Sequence, residues 1–308
     1  MGFLKNALST RRAMQKTPSI EGIHDLTDHE LKQLQECFLG MLKDIDRVCR
    51  EYNICYMAAG GTALGSVRHK GFIPWDDDVD ILMPREDLNR FVQIFGEAMG
   101  DEYELTSPNC AYPIESMISA IYKKNTRKPN VQTVDTDLPQ GVHIDIFPIE
   151  SVPRNPLVRR IKGTVAMGLQ YIAVSALFRQ FSSPRKKQLF YETPAGKFNY
   201  RLRMTVGTIF SFVPYDKWGN LFDRFVRCRK DTGLWAVPTD VGHYFGHVMP
   251  KDVYYPPIRG QFEDMEIAMP HNPDAYLKNQ YGDYMWIPPE EDREKHWAFE
   301  LCFDTTKE

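Results

Sequence analysis

The stretch GGTALGSVRHKGFIPWDDDVDIL, residues 60–82, decides how the rest of the chain is read. Four aspartates, Asp76, Asp77, Asp78 and Asp80, fall within five positions, just ahead of the apolar Ile81, Leu82 and Met83. Negative charge at the mouth of a core strand is either an exposed turn or the holder of something positive. Strand side chains alternate, so Asp78 and Asp80 point to one face and Val79 to the other. Their Cα atoms then lie about 6–7 Å apart, and the two carboxylates repel unless a cation sits between them. Hard oxygen donors suit Mg2+ or Mn2+, and Mg2+ commonly takes one or two carboxylates together with substrate phosphates.

Outward from the aspartates, Gly60-Gly61 ends a short apolar run, 54–59, and precedes a predicted short helix over 62–69. A glycine turn at a helix start presents backbone N–H groups to an anion. No Gly-Lys-Ser/Thr follows, and the glycine spacing is not that of a dinucleotide loop. Arg68, His69 and Lys70 bring positive charge close by, of the kind that holds phosphate. Farther on, Asp145 stands inside Val142-His143-Ile144-Asp145-Ile146-Phe147, with apolar residues on both sides. A charge in such a run needs a partner, and a shared metal supplies one.

The surrounding pattern is α/β. Thr27 and Glu30 form a capping box for a helix over 27–52, with Leu31, Leu34, Phe38, Met41, Ile45, Val48 and Tyr52 on one stripe. Strands are predicted at 79–83, 103–106, 117–122 and 142–147, and a helix from Pro84 to about Gly100. Residues 155–230 read as helical. From Trp235 onward the Pro, Tyr and Gly content predicts irregular structure packed back on the first half. The organisation expected is a flexible basic arm (1–25), a catalytic core (26–153), a basic helical region facing membrane or acceptor (154–234), and a C-terminal segment completing the site (235–308).

A glycine pair, then Asp78-Val79-Asp80 on a strand, then a third acid on another strand resembles the nucleotidyltransferase (polymerase beta-like) superfamily, a mixed-sheet fold. Three blocks sharpen the likeness: GGTALGSVRHKGFIPWDDDVDILMPREDLNRF (60–91), GVHIDIFPIE (141–150) and NQYGDYMWIPPEEDREKHWAFEL (279–301). Together they resemble the LicD family, related to fukutin, over most of the chain; 155–230 carries no such motif. The resemblance implies transfer of a phospho-alcohol group, phosphocholine above all, from a CDP-alcohol donor to a sugar hydroxyl of a cell-surface glycan or its lipid-linked precursor, with release of CMP. Asp78 and Asp80 would hold Mg2+ or Mn2+; Asp145 either completes the metal site or takes the acceptor's proton. Gly60, Gly61 and Thr62 would line the phosphates, and Arg68 and Lys70 would offset their charge. Asp77 either orients ligands or is the polar entry to the strand. Trp75, Tyr281, Tyr284 and Trp286 could cage a quaternary ammonium or simply pack; Asp283 could contact a ribose or the alcohol. The spaced pair His243 and His247 is expected to be structural.

Bulk properties agree with such an enzyme. The chain has 308 residues, 43% hydrophobic and 26% charged, enough for a proper core. Net charge is -3, yet residues 151–210 hold eleven Lys or Arg and one acid, Glu192, leaving about -13 elsewhere. That basic segment alternates with apolar stretches, as interfacial helices do. It predicts a peripheral protein on the cytoplasmic face of the membrane, contacting an anionic surface and no nucleic acid. No run reaches 18 uncharged apolar residues; the nearest, 163–178, is too short and mixed to span. The six cysteines include no C-x-x-C pair and read as reduced thiols. Three rivals remain: a nucleotidyltransferase that uses an NTP and releases pyrophosphate, a glycosyltransferase with an Asp-x-Asp metal site, and a non-enzymatic binding protein on the same fold.

Overall fold

The computed structural model describes residues 23–130, 133–240, 242–293 and 297–307. Most of the predicted arm therefore lies outside the described residues. Its end, His24–Asp25 (β1), pairs antiparallel with Trp297–Ala298. Helix α1, Asp28–Glu51, begins at the capping box: Thr27 Oγ1 accepts from the Glu30 N–H, and Glu30 Oε2 accepts from the Thr27 N–H. Its stripe of Leu34, Phe38, Met41, Leu42, Ile45 and Val48 is fully buried against the sheet.

Then follow β2 (Met57–Ala58), α2 (Gly60–Arg68), β3 (Asp80–Pro84), α3 (Arg85–Ala98), β4 (Tyr103–Thr106), β5 (Ser119–Lys123) and β6 (His143–Ser151). These strands line up as β2-β3-β6-β5-β4. Only β3 and β6 run parallel; the other pairs are antiparallel, so the sheet is mixed. The face carrying Ile81, Ile121, Ile144 and Ile146 is core. The opposite face of β3 and β6 carries Asp80 and Asp145. Strand β3 opens at Asp80 rather than at Asp78. Residues 76–79 are an irregular lead-in with Val79 buried, so Asp78 belongs to the approach and not to the ladder.

Four helices follow β6: α4 (Pro156–Gln180), α5 (Pro184–Tyr191), α6 (Pro194–Ile209) and α7 (Tyr215–Val226). Three of them start with a capping side chain and a proline, at Asn155-Pro156, Ser183-Pro184 and Thr193-Pro194. Helix α7 is sewn to the sheet by Arg85, at the head of α3, which lies 2.5 Å from Glu150 on β6 and 2.8 Å from Asp223 on α7.

The remainder is more regular than its composition suggests. Strand β7 (Leu234–Ala236) pairs with the end of β6, extending the sheet, and with β8 (Met249–Pro250). Two four-residue helices, α8 (His243–Gly246) and α9 (Lys251–Tyr254), flank β8. A hairpin of β9 (Ile258–Phe262) and β10 (Met265–Met269) turns at Glu263-Asp264, with Glu263 at φ +52. Such a turn normally signals itself by Asn-Gly or Asp-Gly. Here no glycine marks it, which is why the hairpin was not expected. Helix α10 (Pro273–Tyr281) returns to the glycine turn, and β11 (Trp297–Ala298) closes the pair with β1.

Candidate active site

Asp80 and Asp145 are register partners across the parallel pair β3–β6. Their backbones are pinned. The Asp80 N–H donates to Thr62 Oγ1 (3.0 Å), its carbonyl accepts from the Ala59 N–H (3.0 Å), and the Asp145 N–H donates to the Val79 carbonyl (3.3 Å). Burial, then the Asp78 charge, pushes Asp145 up to about 7; Lys128 pulls the other way. Asp80 is raised well above the usual carboxylate range by burial, then by Asp78, Asp145, Asp76 and Asp240. Such crowding of acids is what a cation relieves. Among the described residues no three His, Cys, Asp or Glu side chains close at ligand distance around one point. The set still fits Mg2+ or Mn2+: it is oxygen-only, Asp145 keeps 31% of its side chain open, and such ions take further ligands from water and phosphate.

The glycine turn sits against these carboxylates, with two corrections to its expected role. Gly60, at φ +43, donates its N–H to the Tyr276 hydroxyl (3.1 Å) and so does not offer it to an anion. Thr62 is buried, and its hydroxyl is the acceptor for Asp80 rather than a phosphate ligand. Gly61 lies under Asp76: a Cβ there would be 2.6 Å from Asp76 Oδ2. Tyr281 belongs to the site. Its hydroxyl lies 3.5 Å from where a Gly60 Cβ would be, and burial, with Asp76 and Asp80 next, holds it un-ionised.

Several other predicted residues are engaged elsewhere. Arg68 Nη1 donates to the carbonyls of Tyr284 (2.9 Å) and Trp286 (3.0 Å), so it tethers the C-terminal block beside the site. Lys70 is exposed on a left-handed turn, where its carbonyl accepts from the Glu263 N–H (2.7 Å). The guanidinium of Arg293 lies 4.2 Å from the centre of the Trp75 ring and covers one face of it. Asp77 is buried on the inner side, 3.3 Å from Lys128 Nζ, which also donates to its carbonyl. The Tyr284 hydroxyl donates to Asp274 (3.0 Å), and Asp283 is exposed with its carbonyl used by Trp286. An aromatic cage is thus not preassembled from Trp75 and Tyr284; Tyr281 and the exposed Trp286 remain available.

Five residues enter that sequence reasoning did not select: Lys128, Glu115, Asp240, Gln280 and Tyr276. Lys128 lies 3.3 Å from Asp77, and its charge acts on Asp145. Glu115, buried, is pushed up to about 8 by burial and then by Asp145. Asp240 takes Gln280 Nε2 (3.2 Å) and lies 2.6 Å from Nδ1 of the buried His247; the same Gln280 nitrogen donates to Tyr276 (2.9 Å). A chain of polar contacts thus runs from His247 through Asp240, Gln280 and Tyr276 to Gly60. Single residues in loops carry no spacing signal. The Asp-Val-Gly-His run around Asp240 was the one available cue.

Residues 53–158 match the family model described as LicD/FKTN/FKRP, nucleotidyltransferase domain. The chain is 27% identical over 277 residues to the lipopolysaccharide cholinephosphotransferase LicD of Haemophilus influenzae, covering 86% of this chain and 95% of that protein. An uncharacterized protein of Rickettsia typhi is 46% identical over 54 residues, 18% of each chain. The family match spans both β3 and β6, and the longer alignment runs on through most of the chain, so both comparisons bear out the likeness to the LicD family.

Proposed function

We propose that this chain moves a phospho-alcohol group, phosphocholine first among the candidates, from a CDP-alcohol to a sugar hydroxyl of a cell-surface glycan or its lipid-linked precursor, releasing CMP. The observation that carries the reading is the register of Asp80 with Asp145 beside the glycine turn. The name of the Haemophilus relative, a cholinephosphotransferase for lipopolysaccharide, supports phosphocholine and a glycan. In the reaction a new bond forms between the acceptor oxygen and the phosphorus bearing the alcohol, the bond to the bridging oxygen breaks, and CMP leaves with that oxygen. Mg2+ or Mn2+, held by Asp78 and Asp80, would supply neutralisation of the diphosphate.

The protein's own groups position and neutralise. Thr62 fixes the Asp80 backbone and Tyr276 fixes Gly60. Tyr281, un-ionised, donates a hydrogen bond to a donor oxygen over the turn. Asp145, in register with Asp80, either completes that metal site or receives the acceptor's proton. The enzyme works peripherally on the cytoplasmic membrane face, where lipid-linked acceptors are presented.

CMP release tests this. CDP-choline, CDP-ethanolamine, CDP-ribitol and CTP are compared with Mg2+, with Asp78→Asn as control. Magnesium-dependent CMP from one CDP-alcohol, lost in the variant, is the expected result. Pyrophosphate from CTP without CMP from any CDP-alcohol would move the protein to the NTP-using transferases.

A further inference from the structure

The first three turns of α4 carry an apolar face that the described residues leave open. Leu157, Ile161 and Val165 recur every four residues with Val158 beside them, and each is 45% exposed or more. This spacing sets them in one stripe, which Thr164 and Gly168 continue. The opposite side of the same turns is packed. Gly163 abuts the rings of Tyr244 and Phe245, and Lys162 Nζ donates to the carbonyls of Val226 and Arg227. Past Gly168 the helix goes under α6: Arg203 lies over Tyr171, Gly207 sits on the Ser175 carbonyl, and Arg179 donates to Thr208. By length and composition α4 could cross a bilayer, yet its second half is enclosed by protein. A helix held this way has its first turns, not its whole length, open to a bilayer.

The rim of the stripe is basic. Arg154 and Arg160 are exposed on or beside the first turns, and Arg229 and Lys230 are exposed in the connector after α7. That connector runs next to the helix start, where Lys162 reaches Val226 and Arg227. Asp231, the acid in the connector, is paired with Lys251 (2.7 Å). An apolar strip edged by cations matches an anionic bilayer surface, which offers hydrocarbon beneath a layer of phosphates. A second copy docking face to face would set these arginines against their own counterparts.

We propose that Leu157, Val158, Ile161 and Val165 insert into the interfacial layer of an anionic membrane, with Arg154, Arg160, Arg229 and Lys230 on its lipid phosphates. The proposal rests on the peripheral position put forward above and names the residues that make the contact. It is independent of which reaction the carboxylates perform.

Flotation of the full chain at low salt is the test, with vesicles of phosphatidylglycerol mixed into phosphatidylcholine and vesicles of phosphatidylcholine alone. The chain is expected to rise with the anionic vesicles only and to be stripped by added salt. Ile161→Asp should weaken partitioning about tenfold or more by removing an inserted side chain, and Arg160→Gln about fivefold. Both positions are on the surface, so melting temperatures should hold. No co-flotation, or co-flotation that Ile161→Asp leaves intact, overturns the proposal. So does a solution dimer that Ile161→Asp turns into a monomer, which would assign the face to a second copy. CMP release is read on the same samples. Flotation without CMP would sink the proposed reaction and spare the docking face, and CMP without flotation would do the reverse.

Discussion

Asp145 and Glu115 are acids in surroundings that favour their protonated forms, at about 7 and about 8. Both values lie above those of an unfolded chain. The stability each group contributes is therefore complete below about pH 4 and is lost as pH rises toward the folded value. In EDTA, the protein should melt at a lower temperature at pH 8 than at pH 5, with a slope of up to about 1.4 kcal/mol per pH unit per group. Glu115→Gln should flatten that dependence and raise the melting temperature at pH 8; an unchanged profile would remove Glu115 from the account. Asp145→Asn should likewise stabilise the metal-free protein while lowering CMP formation by about a hundredfold or more. Magnesium should raise the melting temperature of the natural chain and leave that of the variant in place.

Among elements, the arginines do the joining. Arg68 holds the 284–286 backbone through two carbonyls. Arg68→Met should loosen that loop, seen as faster amide exchange around Trp286, and should raise KM for the donor more than it lowers kcat. Arg85 joins α3, β6 and α7 through Glu150 and Asp223, both buried. Arg85→Met takes from the buried Glu150 its hydrogen-bonded arginine, while Asp223 keeps Arg227 and Asn109, and should cost about 3–5 kcal/mol in denaturant unfolding. Neither role was legible, because the partners of Arg68 are carbonyls distant in sequence and Asp223 sits in a helix with no motif. What was legible had local physics behind it. The capping box announced α1, the alternation around Asp145 announced β6, and Asp78-Val79-Asp80 pointed to the carboxylate cluster. The sequence also foretold a phosphate-lining Thr62, whereas its hydroxyl closes the strand-helix junction. A hydroxyl beside a glycine pair looks the same in either use. The β9–β10 hairpin went unseen because Glu263-Asp264 adopts a turn that glycine usually fills.

At the scale of the molecule, the basic segment and the acidic remainder resolve into a helical layer beside a sheet with carboxylates on one face. These two parts are linked through β6, whose far end leads into α4. From Asp145 to Ser151 the strand advances about 20 Å. With the first turns of α4 on lipid and β6 upright upon it, the carboxylates would stand off the bilayer by about that length. A lipid-linked sugar next to its anchoring phosphate should then be a poor acceptor, and one several sugars farther out a good one, checked with acceptors of graded length. Strand β6 would act as a ruler, selecting the acceptor by its height above the membrane.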